Sequence, residues 1–187
     1  MLNYIFAKIS FVFIITLLFL FTLLIPNSFS LDDEDEYGLG IRYGHSFYLE
    51  PHENDSVELF LLKFLPWTIF KNNNWKTKPF ISLSAGGIKQ GDDYAFLGTI
   101  SANLAINTPI EKLTLDGGGG LAYLSQDKVG SHNFGGPLQL NFNLGVTLNK
   151  IFKNINLGYR FFHISDAGIH DGHGMNRNLI ELTYMFK

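Results

Sequence analysis

The chain has 187 residues, a length that suits one domain or one small barrel. It has no cysteine, which excludes a disulfide scaffold, Cys-ligated zinc and thiol catalysis. A formal net charge of −3 provides no basic surface for nucleic acid. The 18 Phe and 19 Gly residues favour a β-rich protein with aromatic girdles over a helical bundle.

Residues 1–30 have the features of a secretory signal peptide. Lys8 is the only charged residue among them, a long apolar run follows it, and Ser28 and Ser30 form a small-x-small cleavage site. This pattern predicts export and cleavage after Ser30. A retained membrane anchor is the alternative, because the apolar run is near the lower limit for spanning a bilayer. The acidic segment 31–36 is interpreted as a solvated N-terminal tail without a function of its own.

Residues 37–187 show repeated alternation of apolar and polar side chains, which is typical of β-strands. The clearest run begins at Leu138 and ends at Asn149, with leucine, phenylalanine and valine on one face and amides, Gly and Thr on the other. The second run is the least regular, although Pro66 argues against a long helix there. The remaining strands are expected at roughly 37–48, 57–69, 79–88, 94–106, 111–124, 153–165 and 177–186.

Eight strands of about ten residues in an exported chain predict an all-β fold, an eight-stranded antiparallel transmembrane β-barrel of the outer membrane. Closing the sheet satisfies every edge hydrogen bond, which a bilayer requires. A soluble lipocalin-like barrel is the competing interpretation. Aromatic side chains near strand ends are expected to form interfacial belts: Tyr43, Phe47, Tyr48, Trp67, Phe70, Trp75, Tyr94, Tyr123, Tyr159, Tyr184 and Phe186.

An even number of strands leaves both termini on the periplasmic side of the membrane. Short periplasmic turns are then expected at 107–110 and 149–152, and longer outer loops at 125–136 and 166–176.

The seventh predicted strand ends with His163 and Ser165, two residues apart on the same face as Tyr159 and Phe161. Side chains at i and i+2 on a strand are about 6.5–7 Å apart at the backbone, so suitable rotamers bring a His nitrogen to a Ser oxygen. Ser165 is therefore a candidate nucleophile and His163 its general base. Both are expected to face lipid at the outer-leaflet end of the barrel.

A third group should orient the imidazole of His163. Asn176 shares the parity of Ile180 on the last strand, so it is expected to face outward beside His163. Glu181 has the opposite parity and should point into the lumen. Arg160 should also point there, paired with an acid such as Asp116 or Glu181.

The run His163-Ile164-Ser165-Asp166-Ala167-Gly168, followed by Gly174-Met175-Asn176, resembles the motif of the outer-membrane lipid A 3-O-deacylases (PagL-like). That motif is His-x-Ser-Asn-Ala, a loop rich in Gly and Asn, and an acid or amide that opens the last strand. The resemblance implies a serine esterase of the outer membrane that removes an ester-linked acyl chain from lipid A. It implies no cofactor and no metal, and it leaves a homodimer open.

The chain departs from the motif at Asp166, where the family has an Asn whose amide helps to form the oxyanion hole. Asp166 and Gly168 are the candidate oxyanion residues, and an ionised carboxylate would repel the developing oxyanion. On this interpretation Asp166→Asn should raise activity. The alternative function is a non-catalytic barrel that stabilises or shields the outer membrane.

The other histidines have less distinctive surroundings. The segment 170–173 contains two imidazoles and could hold a metal, but a polar surface loop is the preferred interpretation. His45, His52 and His132 are scattered in strand ends and loops and are expected to be solvated.

Overall fold

The structure, a computed structural model, describes residues 30–31, 36–46, 54–72, 75–110, 112–168 and 172–187. Nearly all of the predicted signal peptide and most of the acidic tail lie outside the described residues, as do Phe47, Tyr48 and His52. Within the described ranges, no helix has the length and apolar character needed to cross a membrane.

Eight long strands in the described part of the chain form a closed antiparallel barrel. Each strand pairs with the next along the chain, and the first pairs with the last. The predicted all-β, eight-stranded barrel is thus confirmed. The strands are β1 (Tyr37–Ser46), β2 (Asp55–Phe64), β3 (Trp75–Gln90), β4 (Asp93–Asn107), β5 (Leu113–Leu124), β6 (Leu138–Phe152), β7 (Ile155–Ser165) and β8 (Met175–Phe186).

The alternation in β6 has the orientation expected for a membrane barrel. Leu140, Phe142 and Leu144 are exposed on the outer wall, whereas Asn141 and Asn143 are buried in the lumen. The apolar face is therefore outside and the polar face inside, the reverse of a soluble barrel. All of the predicted belt aromatics that the structure describes are exposed: Tyr43, Trp67, Phe70, Trp75, Tyr94, Tyr123, Tyr159, Tyr184 and Phe186.

Two predicted boundaries are wrong. The second run, expected at 57–69, ends as a barrel strand at Phe64, and short strands follow it. Of these, Trp67–Thr68 pairs with Ser30–Leu31, and Phe70–Asn72 pairs with β3. Pro66, between the two elements, has no N–H to donate to a strand ladder.

The turn expected at 149–152 is the second error. There β6 continues to Phe152, with an irregularity in its pairing with β7 after Leu148, and the turn lies at 153–154. Lys150 and Lys153 both have positive φ, 51° and 49°. The backbone thus bends twice where the sequence suggested a single turn.

The middle of the lumen contains a buried ion network of three arginines and three carboxylates: Arg42, Arg160, Arg177, Glu58, Asp116 and Glu181. Arg160 contacts both acids considered for it, with 2.9 Å from its Nε to Glu181 Oε1. The predicted lumenal pairing of Arg160 is confirmed, and so is the inward orientation of Glu181.

Above this network, apolar side chains fill the end of the lumen where β7 finishes. These side chains form an apolar plug. The 125–137 connection contributes Val129 and Phe134, which are fully buried there. The other members of the cluster are Ile88, Ala95, Leu97, Ala122, Leu124, Phe162, Ile164, Met175 and Leu179. A lumenal cavity of about 460 Å³ is lined at the opposite end by residues such as Glu36, Asn154 and Met185. The candidate dyad is therefore remote from that cavity.

Candidate active site on the outer wall of the barrel

His163 and Ser165 lie on the outward face at the C-terminal end of β7, where both are half-buried. Ile164, between them, is fully buried in the apolar plug, and this burial anchors the end of the strand. The strand register places His163 opposite Phe142 and Ser165 opposite Leu140, both exposed on the outer wall. A hydroxyl and an imidazole thus border an apolar surface at one rim of the barrel.

Asn176 is the register partner of His163 on β8, and the distance from His163 Nδ1 to Asn176 Oδ1 is 2.8 Å. An amide oxygen can only accept a hydrogen bond, so Nδ1 of the neutral imidazole carries the proton and donates it. Nε2 then has the free lone pair that a general base requires. The structure brings together the two residues that the sequence placed on adjacent strands.

Gly174 lies against the other edge of the same imidazole. A Cβ built on Gly174 would be 3.0 Å from His163 Cε1, 3.4 Å from Nε2 and 3.0 Å from the Ile164 carbonyl oxygen. The absence of a side chain at 174 therefore leaves room for the ring in its present position. Sequence analysis did not single out this glycine for that purpose.

Ser165 Oγ accepts a hydrogen bond from the Ala167 backbone N–H at 3.1 Å. The described contacts include no hydrogen bond between Ser165 Oγ and the His163 ring. Ala167 and Gly168 both have positive φ, 56° and 72°, so the chain turns sharply as it leaves the strand. Left-handed backbone is unusual for alanine and marks a constrained turn next to the hydroxyl.

Asp166 has a different environment from the one expected of an oxyanion donor. Its side chain is buried, Oδ1 accepts the Gly168 N–H at 2.9 Å, and Oδ2 accepts the Gly172 N–H at 3.2 Å. Both carboxylate oxygens act as acceptors that hold the two ends of the β7–β8 loop together. The Asp166 side chain therefore helps to set the loop conformation.

The β7–β8 loop is also attached to the β5–β6 loop. The His173 N–H donates to the Asn133 carbonyl at 2.7 Å, and His132 Nε2 lies 2.9 Å from the His173 carbonyl. His132 is buried, so the expectation that it is solvated was wrong. His170 and Asp171 of the proposed alternative metal site lie outside the described residues. Within the described ranges, no group of three or more His, Asp or Glu side chains is placed to hold a metal ion.

A further polar cluster on the outer wall was missed by sequence reasoning. Tyr43 Oη lies 2.5 Å from Asp55 Oδ1, and His45 Nδ1 lies 2.9 Å from the same oxygen. Tyr159 Oη donates to Asn178 Oδ1 at 2.6 Å. His45, which was expected to be solvated, is about half exposed, and a carboxylate on the next strand orients its ring. The pairing depends on strand register, which no local motif reveals.

Family comparison bears directly on this arrangement. The family model described as lipid A 3-O-deacylase (PagL) matches residues 37–185, which is all of the barrel except the last residue of β8. The chain belongs to the lipid A 3-O-deacylase (PagL) family. The residues that resembled this family in the sequence, 163–168 and 174–176, lie at one rim of the barrel, where β7 ends and β8 begins.

Solved structures support the fold of this family member. It resembles a crystal structure of the outer membrane enzyme PagL with a TM-score of 0.67 and 16% identity, over 79% of this chain and 98% of that one. It also resembles the Yersinia pestis outer membrane protein Ail in a phospholipid nanodisc, with a TM-score of 0.51 and 15% identity, over 82% and 100% of the two chains. No curated protein matches the chain by sequence.

Proposed function

We propose that the chain is an outer-membrane esterase that removes an ester-linked acyl chain from lipid A. The observation that carries the proposal is the His163–Asn176 hydrogen bond, which leaves Nε2 as the basic nitrogen of an imidazole on the same strand face as Ser165, in a member of the deacylase family. The outward position suits a substrate that reaches the barrel by lateral diffusion in the bilayer. The apolar wall at Leu140 and Phe142 suits the acyl chain.

The proposed reaction is acyl transfer to Ser165. The Ser165 hydroxyl gives its proton to His163 Nε2 while Oγ attacks the ester carbonyl, and a tetrahedral oxyanion forms. When this intermediate collapses, the C–O bond to the sugar breaks, and the imidazolium returns the proton to the departing sugar oxygen. A water molecule, deprotonated by His163, then releases the fatty acid and restores Ser165.

A rotation of the Ser165 side chain is needed before this reaction. In the resting arrangement Oγ accepts the Ala167 N–H, which leaves its own proton free to be donated to His163. Catalytic hydrogen bonds are often long or misaligned before substrate binds, so the resting arrangement is compatible with the proposed role.

The oxyanion requires donors, and we assign this role to the Gly168 backbone N–H. That N–H now donates to Asp166 Oδ1 and would have to exchange partners when the oxyanion forms. The Asp166 side chain is proposed to shape the loop that presents this amide, because its two oxygens are acceptors. One oxyanion-hole donor is worth about 10²–10³ in rate in other acyl-transfer enzymes.

Mass spectrometry of lipid A tests the proposed function. Cells that express the chain should contain lipid A lacking one ester-linked acyl chain, whereas cells expressing Ser165→Ala or His163→Ala should contain the intact form. Leu148→Ala, on the same face of β6 but at the opposite end of the strand from the dyad, serves as the control for expression and insertion. Lipid A that stays intact with the wild-type barrel would support the non-catalytic alternative.

A further inference from the structure

A row of polar side chains leads away from the catalytic dyad around the outer wall. In the strand register, Asn178 on β8 is opposite His45 on β1, His45 is opposite Asp55 on β2, and Asp55 is opposite Lys89 on β3. These four residues are called the rim row. Asn178 follows Asn176 by two residues on the same face, so the row begins next to the residue that orients His163.

The rim row interrupts a wall that is otherwise apolar. On the same outward face, the next residues away from the rim are Ile180 on β8, Tyr43 on β1 and Val57 on β2. All three are exposed. Polar side chains on the lipid-facing wall are costly near the bilayer centre and tolerated close to the interface. A whole row of them on four adjacent strands is best explained by contact with polar parts of lipid molecules.

Hydrogen bonds hold three members of the row in place. His45 Nδ1 and Tyr43 Oη both contact Asp55 Oδ1, and Tyr159 Oη donates to Asn178 Oδ1. Within the described part of the chain, His45 Nε2, Asp55 Oδ2 and Asn178 Nδ2 keep hydrogen-bonding capacity that no contact uses. The side chains of His45 and Asp55 are about half exposed, at 45% and 52%. The row therefore presents fixed and accessible donor and acceptor groups.

The chemistry of the row favours a sugar over a phosphate. Asp55 supplies a carboxylate oxygen that accepts from hydroxyls, whereas it would repel a phosphate. Lys89 and its register partner Asp55 carry opposite charges, so the row has no excess of cations. Neighbouring strands are about 4.8 Å apart, so the three steps from Asn178 to Lys89 span about 14 Å. This is a suitable width for two linked sugar rings.

On the other side of the dyad the wall is different. Leu138 and Leu140 on β6 and Leu121 on β5 are exposed apolar residues at the same rim. The dyad thus lies between a polar wall and an apolar wall. The ester bond of the substrate likewise joins a polar group, the sugar, to an apolar group, the acyl chain.

From these observations we infer that the rim row Asn178, His45, Asp55 and Lys89 binds the amino-sugar head of the lipid substrate through its hydroxyl and amide groups. The inference rests on the proposed function, because it places that substrate's head on the β8–β3 side and its acyl chain on the β6 side. It assigns residues of β1, β2 and β3, far from the catalytic motif in sequence, to substrate binding.

The test measures lipid A binding in the Ser165→Ala background, where turnover cannot obscure affinity. Barrels in detergent micelles are titrated with lipid A, with dephosphorylated lipid A and with a diacyl phospholipid that has no sugar. We expect His45→Ala combined with Asp55→Asn to weaken the binding of both lipid A forms about tenfold, which corresponds to one or two lost hydrogen bonds. Phospholipid binding should not change.

A matched pair of Tyr→Phe variants checks the position of the site. Tyr43→Phe removes the hydroxyl that holds Asp55, whereas Tyr123→Phe removes a hydroxyl from the outer wall of β5. Only Tyr43→Phe should weaken the binding of lipid A. Circular dichroism of each variant verifies that the barrel is folded.

Three results would overturn the inference: unchanged lipid A affinity in the folded double variant, an equal loss of phospholipid binding, or an effect confined to the phosphorylated lipid. Failure of the proposed function is a separate outcome. It would appear as lipid A that binds through the rim row and is never hydrolysed by the wild-type barrel.

Discussion

In the proposed reaction Asn176 determines what His163 can do, because its amide oxygen fixes the proton on Nδ1 and leaves Nε2 to act as the base. A carboxylate in this position would in addition stabilise the imidazolium that forms during the reaction, and an amide lacks that charge. The site therefore has an orienting group without an acid.

We expect Gly174→Ala to slow catalysis by displacing the His163 ring. The new Cβ would be 3.0 Å from Cε1 and from the Ile164 carbonyl, so the ring must move by a few tenths of an ångström. Because small displacements of catalytic groups can cost up to about 10²-fold, kcat should fall by between about 10- and 100-fold, with KM little changed. Steady-state kinetics with lipid A in micelles measures both constants.

The control for this experiment is Gly87→Ala on β3, where the nearest atom to a new Cβ is 3.8 Å away. It should behave as wild type. If Gly174→Ala has the wild-type kcat, the position of the imidazole does not depend on this glycine.

We expect Asp166→Asn to lower activity, contrary to the expectation from sequence. Two backbone N–H groups donate to the two carboxylate oxygens, and an amide offers an acceptor to only one of them. An unsatisfied donor costs about 1–3 kcal/mol, which should loosen the loop that carries Gly168 and Gly172. Initial rates of acyl release measure the effect. A rate above that of wild type would instead place residue 166 in the oxyanion hole.

For β6, the sequence predicts which side chains face outward but does not predict where the strand ends. Its inward amides and outward apolar residues follow from alternation, which local sequence fixes. Alternation does not give the position where β6 ends. Asn149-Lys150 and Lys153-Asn154 are equally good turn sequences, and the pairing with β7 decides between them.

The outward apolar face of β6 predicts a depth-dependent cost for a charge. Leu144→Arg, in the middle of the strand, should lower the free energy of unfolding by about 2–4 kcal/mol, and Leu138→Arg, at the rim, by about 0–1 kcal/mol. Both leucines are exposed on the same face of the same strand. Urea unfolding of the two variants in lipid vesicles measures the difference. Similar costs at the two positions would argue against a lipid-facing wall.

The candidate site divides in the same way between local and long-range information. His163, Ser165 and Asn176 could be predicted because one hairpin carries them and alternation gives their faces. The His45–Asp55 contact could not, because it depends on the register between β1 and β2 across a connection without a turn motif. The acceptor role of Asp166 could not either, because its donors lie in the loop that follows it.

The buried ion network links strands from both ends of the sequence. Glu58 on β2 contacts Arg42 on β1 and Arg177 on β8, each at 2.7 Å. Three arginines and three carboxylates make the network electrically neutral. It closes the seam where the first and last strands meet, which is where a barrel is most exposed to opening.

We expect Glu58→Gln to destabilise the barrel by about 3–5 kcal/mol, because two buried guanidinium groups would lose their shared carboxylate. Glu36→Gln makes the same chemical change at a more exposed pair with Lys78 and should cost about 0–1 kcal/mol. Urea unfolding in vesicles compares the two variants. A Glu58→Gln barrel as stable as the Glu36→Gln barrel would show that the network contributes little to stability.

If the chain has the proposed activity, the hydrogen bonds between the β5–β6 and β7–β8 loops affect when that activity can begin. Asn133 and His173 are forty residues apart in the chain, and they meet only after the strands between them have paired. An unfolded chain has the dyad sequence without the loop that positions Gly168 and Gly174. We therefore expect hydrolysis to begin only once the barrel is assembled in its bilayer. Activity would then report completed insertion, and membranes crossed earlier by the unfolded polypeptide would be spared.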